Sequence, residues 1–318
     1  MNKIIIYGLG KRFEEMFKEN EEFWTRKFEI VCVCDKNYSG ATIFYANKDI
    51  PVVKPEQVNI YSYDYIIVTT NKFFDEIKEK LIDLKVEKDK IKKINNKEVW
   101  EIILGDIIFD KCIDIGGPSS YFIDLYNKSN SIDIFTYIIN PEWREKLKGE
   151  GTYSEQIRNI IIGDSLDLSC IESESYDLVL SSHTLEHIAN PIKALLEWKR
   201  ILKTGGVLIL VIPNQKYCFD HARECVTIEH LLEDYKNNVL EDDLTHIEEI
   251  VRKTDLPMLN VKWTEETFRA FARRNFKHRE LHHHVFSKEV LVEMADYMNM
   301  KVVYTPFECS SHIICLRK

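Results

Sequence analysis

CIDIGGPSS, residues 112–120, decides how the rest of the chain reads. An apolar run that carries Asp114 passes straight into the Gly116–Gly117 pair, as in a β-strand that ends in a tight turn. Glycines at such a point let the backbone approach a ligand closely. Downstream, IDIFTY (132–137), NIIIGD (159–164), YDLVLSS (176–182) and GGVLILVIPN (205–214) read as further strands or strand ends. A helix over Pro191–Leu202 separates the last two, with its apolar residues at helical spacing. From about Tyr217 to Asn275 the chain is charge-rich and helical in spacing, which predicts a helical insertion at about 217–276, between the fifth and sixth strands. VFSKEVLVEMADYMNM then reads as a helix, and KVVYTPFE with HIICLRK as a closing antiparallel pair.

Upstream of Cys112, strands are expected at Lys3–Tyr7, Phe28–Cys34 and Asp64–Thr69, with helices at about Lys11–Glu19 and Phe74–Leu84. YANKDIPVVKPEQV (45–58) reads as loop and edge structure around two prolines. The polar stretch Lys85–Glu101 marks the junction, so the domains are expected at 1–104 and 105–318. Strands alternating with helices make the fold class α/β, with two Rossmann-like domains.

Composition narrows the function. Of 318 residues, 45% are hydrophobic and 30% charged, which suits a globular chain and argues against disorder. The 43 basic against 52 acidic residues, net −9, make nucleic acid an unlikely partner, because phosphate neutralisation needs a basic face. No apolar run approaches the roughly 18 residues of a membrane span. The N-terminal MNKIIIYGLGKRF is not signal-peptide-like, so a cytoplasmic location is expected. The eight cysteines include no C-x-x-C pair. Cys32, Cys34 and Cys112 sit in apolar runs as buried hydrophobes, with no zinc site expected among the cysteines. All ten histidines fall at or after residue 183.

In IIIYGLGKRFEE, Gly8 and Gly10 stand between a strand and a helix, but Phe13 takes the third position of a dinucleotide fingerprint. Asp35 ends the next strand, where an acid would bind a ribose hydroxyl. These residues fit a Rossmann-like domain without a cofactor as well as one with. The stretch IIVTTNKFFDEIKEKLIDLKVEKDKI (66–91) resembles the N-terminal Rossmann-like domains of bacterial surface-sugar biosynthesis proteins, over roughly the first 95 residues. Some of these hold nucleotide-sugars.

From about Lys111 onward, DIGG, GDSLDL, YDLVLSSHTLEHI and ILKTGGVLILVIPN occur in the order that class I S-adenosylmethionine-dependent methyltransferases show, and the segment resembles that family. The resemblance implies a seven-stranded sheet with S-adenosylmethionine as cofactor. It assigns Asp114, Ile115, Gly116 and Gly117 to the methionine end, and Asp164, Ser165 and Leu166 to the adenine. Ser182 would lie at the strand edge facing the ligand. The family's later turn glycine is replaced, since Pro118-Ser119-Ser120 follows, and two residues compete for the ribose, Asp133 and Tyr137.

His183-Thr184-Leu185-Glu186-His187 follows the fourth strand. A helix there would put His183, Glu186 and His187 on one face at i, i+3 and i+4. ELHHHVFSKEVL adds His282, with His283 and His284 as pocket lining. A histidine base could take a hydroxyl proton during transfer; a divalent metal could instead lower the hydroxyl pKa; or L-E-H-I could serve helix packing and capping alone, with purely structural histidines. For the metal version the segment resembles ubiquinone-pathway O-methyltransferases and small-RNA 2′-O-methyltransferases, which carry E-x-x-E-H here. That resemblance implies Glu186, His187 and His282 as ligands, with His183 in place of the first glutamate favouring a softer ion than Mg²⁺. In the insertion, His221, Arg223 and His230 are candidates for a polar or phosphorylated acceptor. RAFARRNFKHR (269–279) is either a phosphate-binding patch or a solvated helix face.

The expected function is O-methylation of a sugar or sugar-linked metabolite in surface-polysaccharide biosynthesis, with a small-molecule or carrier-linked sugar as substrate. The rival is a non-catalytic nucleotide-sugar-binding or sensor protein with a decayed methyltransferase site. The acceptor, the methylated atom and the oligomeric state are not set by the sequence.

Overall fold

A computed structural model describes residues 1–18, 20–37, 40–70, 72–93, 104, 107–137, 156–259, 261–305 and 310–318. Part of the expected junction (94–101) and Cys309 lie outside the described residues. The chain divides into two compact units, Met1–Asp106 with Tyr304–Phe307, and Ile107–Val303 with Glu308–Lys318.

The first unit is built on a six-stranded sheet in the order β3-β4-β2-β1-β5-β6. Its strands are β1 Asn2–Tyr7, β2 Phe28–Cys34, β3 Ala41–Tyr45, β4 Lys48–Val53, β5 Tyr65–Val68 and β6 Ile91–Lys93. Apolar runs such as Ile4-Ile5-Ile6 are wholly buried, as strands covered on both faces require. The 45–58 stretch holds more structure than a loop: β3 and β4 form an antiparallel hairpin at the sheet edge. Ala46 and Asn47, both at positive φ, turn it in two residues. Helix α1, Lys11–Phe13, runs into a π-helical turn, Glu14–Lys18, and Phe13 stacks on Phe17 at 5.6 Å. Phe13 is therefore core, which explains why a third glycine is not needed there. Helices α2 (Glu21–Lys27) and α3 (Phe74–Asp83) complete the unit's helices of seven or more residues among those described.

The second unit carries a seven-stranded sheet in the order β12-β13-β11-β10-β7-β8-β9. Its strands are β7 Phe109–Ile115, β8 Ser129–Thr136, β9 Ile157–Ile162, β10 Tyr176–Ser182, β11 Leu202–Pro213, β12 Lys301–Tyr304 and β13 Ser311–Arg317. β7 to β11 pair in parallel, and β13 runs antiparallel to β11. Helix α4, Pro191–Ile201, follows β10. Asn190 caps it by accepting the Lys193 N–H, and Pro191 occupies the first turn, where no amide donor is needed. Ile192, Leu195, Trp198 and Ile201 recur every third residue and are fully buried against the sheet. The insertion is helical: α5 Ile228–Asn237, α6 Ile247–Lys253, α7 Glu265–Ala272 and a short helix Asn275–His278, with no strand among its described residues. Helix α8, Lys288–Tyr297, precedes β12. Cys32, Cys34 and Cys112 are buried, as their apolar surroundings imply.

Candidate active site

Parallel packing brings the carboxyl ends of β7, β8, β9 and β10 together, and with them Gly116, Tyr137, Asp164 and His183. Ligands of open α/β sheets bind at such an edge. Gly116 has φ +84, and a Cβ there would lie 1.9 Å from Thr184 Oγ1. A Cβ on Gly117 would lie 1.9 Å from Asp114 Oδ2. Neither position has room for a side chain. Asp114 is fully buried, and its Oδ2 accepts from Tyr126 Oη and, at 3.1 Å, from the Ser119 N–H. Burial pushes its carboxyl up to about 7, while those two donors pull the other way. Its Oδ1 is buried and has no hydrogen-bond partner among the described residues. The Ile115 carbonyl accepts from Ser181 Oγ at 3.0 Å and Thr184 Oγ1 at 3.3 Å, and the Ser182 carbonyl accepts from Thr184 Oγ1 at 3.2 Å. An unsatisfied buried carboxylate oxygen beside a glycine turn suits the ammonium of an amino-acid tail, so these residues fit the methionine end of S-adenosylmethionine.

The turn after β9 is fixed by Asp164, whose Oδ1 accepts the Leu166 N–H at 3.0 Å. Ser165 contributes its carbonyl to Trp198 Nε1 at 3.0 Å. Asp164 and Leu166 line an open cavity of about 800 Å³, with Lys193, Glu197, Arg200 and Tyr235. Arg279, the last residue of the basic stretch 269–279, donates to Asp164 Oδ2 at 2.7 Å and lies over the Tyr137 ring at 3.9 Å.

Of the two ribose candidates, Tyr137 is at this edge and Asp133 is not. Asp133 lies within β8, opposite Ile113, and is 2% exposed. Its oxygens accept from Asn159 Nδ2 at 2.6 Å and Tyr176 Oη at 2.7 Å. In this structure both carboxylate oxygens are thus engaged within the sheet's own packing, away from the strand end where Tyr137 stands.

The HTLEH segment also departs from expectation. It is a 3₁₀ turn, Leu185–His187, and His183 sits before it at φ +50. His183, Glu186 and His187 therefore do not share a helical face. His183 is exposed, packs edge-on to Tyr121 at 5.6 Å, and contacts Ser311 Oγ at 3.3 Å. Glu186 turns inward and meets His282 from the far side of the insertion. Glu186 Oε1 is 3.9 Å from His187 Nε2 and 4.0 Å from His282 Nε2. Both Glu186 oxygens are buried without hydrogen-bond partners among the described residues.

The three groups of this cluster are tuned apart. Burial pushes Glu186 up to about 7. Burial, then the neighbouring His282, pulls His187 down to about 3, so it is neutral at pH 7. Its Nδ1 donates to the Leu281 carbonyl at 3.1 Å, which leaves a lone pair on Nε2. Burial alone would lower His282, but hydrogen bonds to Asp220 and Cys218 and the charge of Glu186 push it up to about 9. Asp220 Oδ2 holds His282 Nδ1 at 2.8 Å. Asp220 is thus a positioning residue that the sequence did not mark.

The other insertion candidates are spent elsewhere. Arg223, 4% exposed, donates to the backbone carbonyls of His282 and His283 at 2.7 and 2.8 Å, so it orders their segment and cannot reach an acceptor. His221 contacts Asp255, and His230 joins His246 and Asp234. In the basic stretch, Arg269 pairs with Glu248 and Glu265, and Arg273 with Glu248. Those two arginines are paired within the insertion, and Arg279 pairs with Asp164. In the first unit, Asp35 accepts the N–H groups of Leu9 and Asn37 at 2.9 and 2.8 Å, so it braces the glycine turn.

Comparison with known proteins places these features. A family described as a methyltransferase domain matches residues 113–210, from β7 into β11. Residues 113–210 are a methyltransferase domain. The second unit is that of an S-adenosylmethionine-dependent methyltransferase, and the match favours an enzyme over the sensor reading. A family described as C2185-like, N-terminal, matches residues 1–92, and no curated protein matches the chain. Among solved structures, the chain is similar to an S-adenosylmethionine-dependent methyltransferase from Mesorhizobium loti at 11% identity and TM-score 0.44, covering 70% of this chain and 96% of that one. It is also similar to a Burkholderia thailandensis 1,6-didemethyltoxoflavin-N1-methyltransferase with bound S-adenosylhomocysteine, at 12% identity and TM-score 0.42, covering 70% and 76%. For the CurJ carbon methyltransferase the values are 14% and 0.40, and the match spans 70% of this chain and 53% of that one. These likenesses do not bear on the acceptor. Among the described residues, no helix is long and apolar enough to cross a membrane.

Proposed function

We propose that the protein moves a methyl group from S-adenosylmethionine to a hydroxyl oxygen of a small polar acceptor, a free or carrier-linked sugar of surface-polysaccharide synthesis. The observation that carries oxygen as the target is the convergence of Glu186, His187 and His282 beside the end of β10. An oxygen nucleophile must shed a proton as it attacks, and the unprotonated Nε2 of His187 beside Glu186 offers a place for it. The sugar class rests on the resemblance of residues 66–91 to surface-sugar biosynthesis proteins.

The cofactor supplies an electrophilic methyl on a sulfonium, which leaves as a neutral thioether. Asp114, Gly116 and Gly117 hold its amino-acid end, and Tyr137 with the Asp164 turn receives the nucleoside. His187 Nε2 accepts the acceptor's hydroxyl proton while the oxygen forms its bond to the methyl carbon. The protonated ring then lies 3.9 Å from Glu186 Oε1, which balances the new charge. Asp220 keeps His282 oriented and charged, so Glu186 faces a cation from a second side. Position and base together account for the protein's part.

A divalent ion held by Glu186, His187 and His282 is a second reading, favoured by their donor atoms lying within 4.8 Å of one another. Incubation with S-adenosylmethionine and a panel of sugars, nucleotide-sugars, amines and carbon acids tests the function. A methyl ether on a sugar supports it. Transfer only to nitrogen or carbon overturns it, and loss of activity with a chelator moves the proton step to the metal.

A further inference from the structure

A second group of histidines converges in the insertion, away from the site at β10. His230 and Asp234 stand one turn apart on α5, His246 immediately precedes α6, and His284 lies ahead of α8. His230 Nε2 is 3.1 Å from His246 Nε2 and 3.4 Å from Asp234 Oδ2. His284 Nε2 is 3.1 Å from the same Oδ2. The donor atoms of the three histidines all lie within 4.8 Å of one another. Ligands about 2.0–2.1 Å from a tetrahedral ion stand about 3.3–3.4 Å apart, close to the 3.1 Å between the His230 and His246 nitrogens.

We infer that His230, His246 and His284, with Asp234 as the carboxylate that orients two of the rings, form a site for zinc or a zinc-like divalent transition ion. Three imidazoles suit such an ion better than Mg²⁺ or Ca²⁺, which prefer oxygen. Asp234 is 8% exposed and has no Lys or Arg ion pair among the described residues. A buried carboxylate with no Lys or Arg beside it lacks a fixed counter-charge, and a cation supplies it. His230 and His246 are partly exposed and leave a path for entry.

The three rings come from three separate elements, so the ion would act as a staple of the insertion. It would tie α5 and the start of α6 to the segment carrying His282 and His284, whose His283 N–H also donates to the Glu186 carbonyl at 2.7 Å.

Metal-free full-length protein titrated with Zn²⁺ alone, and separately with Co²⁺ followed by visible absorption, tests the site. Wild type should take up one equivalent and give the intense bands of tetrahedral Co²⁺. The double variant His230→Gln/His246→Gln, changed at the partly exposed ligands, should keep its circular dichroism and bind at least on the order of 100-fold more weakly. Glu186→Gln should bind as wild type does. An unaltered affinity in the double variant overturns the site, as does a folded wild type without micromolar binding. Loss in Glu186→Gln alone assigns the ion to the other cluster and overturns it too.

Discussion

Arg279 Nη2 lies 2.7 Å from Asp164 Oδ2, an ion pair between residues 115 positions apart in the chain. The same guanidinium covers Tyr137, and Arg279 adopts φ +53, a left-handed conformation that costs about 1–3 kcal/mol for a residue with a side chain. Burial alone would raise the Asp164 carboxyl; Arg279 and the Leu166 N–H outweigh it and hold it below the usual range. Arg279 thus spans the gap between the two groups proposed to receive the nucleoside. Arg279→Ala should tighten S-adenosylhomocysteine by up to about tenfold, or ~1.4 kcal/mol. Weaker binding in calorimetry would make Arg279 a wall of the site instead.

His187 offers the free lone pair of the cluster. His187→Ala should lower kcat by about 10²–10⁴-fold while S-adenosylhomocysteine affinity stays within about twofold, since the base acts on the acceptor's proton. Near-normal turnover would remove His187 from the proton step.

Gly116 combines positive φ with contact against Thr184. Gly116→Ala should lower stability by about 1–3 kcal/mol from the backbone alone. The cost rises further because Thr184 would have to leave its bonds to Ile115 and Ser182. Thermal unfolding checks this, and an unchanged Tm would show that the turn relaxes freely.

His282 should leave a mark on the alkaline side of the stability curve. Its folded pKa is raised from 6.5 to about 9, so its contribution is complete below 6.5 and disappears as pH climbs through 9. Asp220→Asn removes the charge that His282 Nδ1 faces and should flatten that arm. Denaturant midpoints from pH 6 to 9.5 measure it. A variant that keeps the wild-type slope would take Asp220 out of the account.

The glycine turns, the strand order of apolar runs and the insertion were legible because each is local: a period of two, a glycine pair, a loss of strand pattern. Strand ends together with the family resemblance singled out Asp114, Gly116, Tyr137 and Asp164, and the structure places them at one sheet edge. For Asp133, spacing alone does not reveal that Asn159 and Tyr176 fill its hydrogen bonds. The HTLEH helix failed because His183 turns left-handed before a single 3₁₀ turn. Arg279, Asp220 and the His230–His246–His284 group depend on how the insertion folds back, and no spacing in the sequence encodes those contacts.

The most direct measurement is calorimetric titration of S-adenosylhomocysteine into wild type and Asp114→Asn. Asn at 114 keeps an acceptor for Tyr126 and Ser119 but removes the charge beside the glycine turn. Binding by wild type with Kd on the order of 1–10 µM, weakened at least about tenfold in the variant, is the predicted result. Absence of binding by well-folded wild type, or equal affinity in the two proteins, would contradict a cofactor site at Asp114, Gly116 and Gly117.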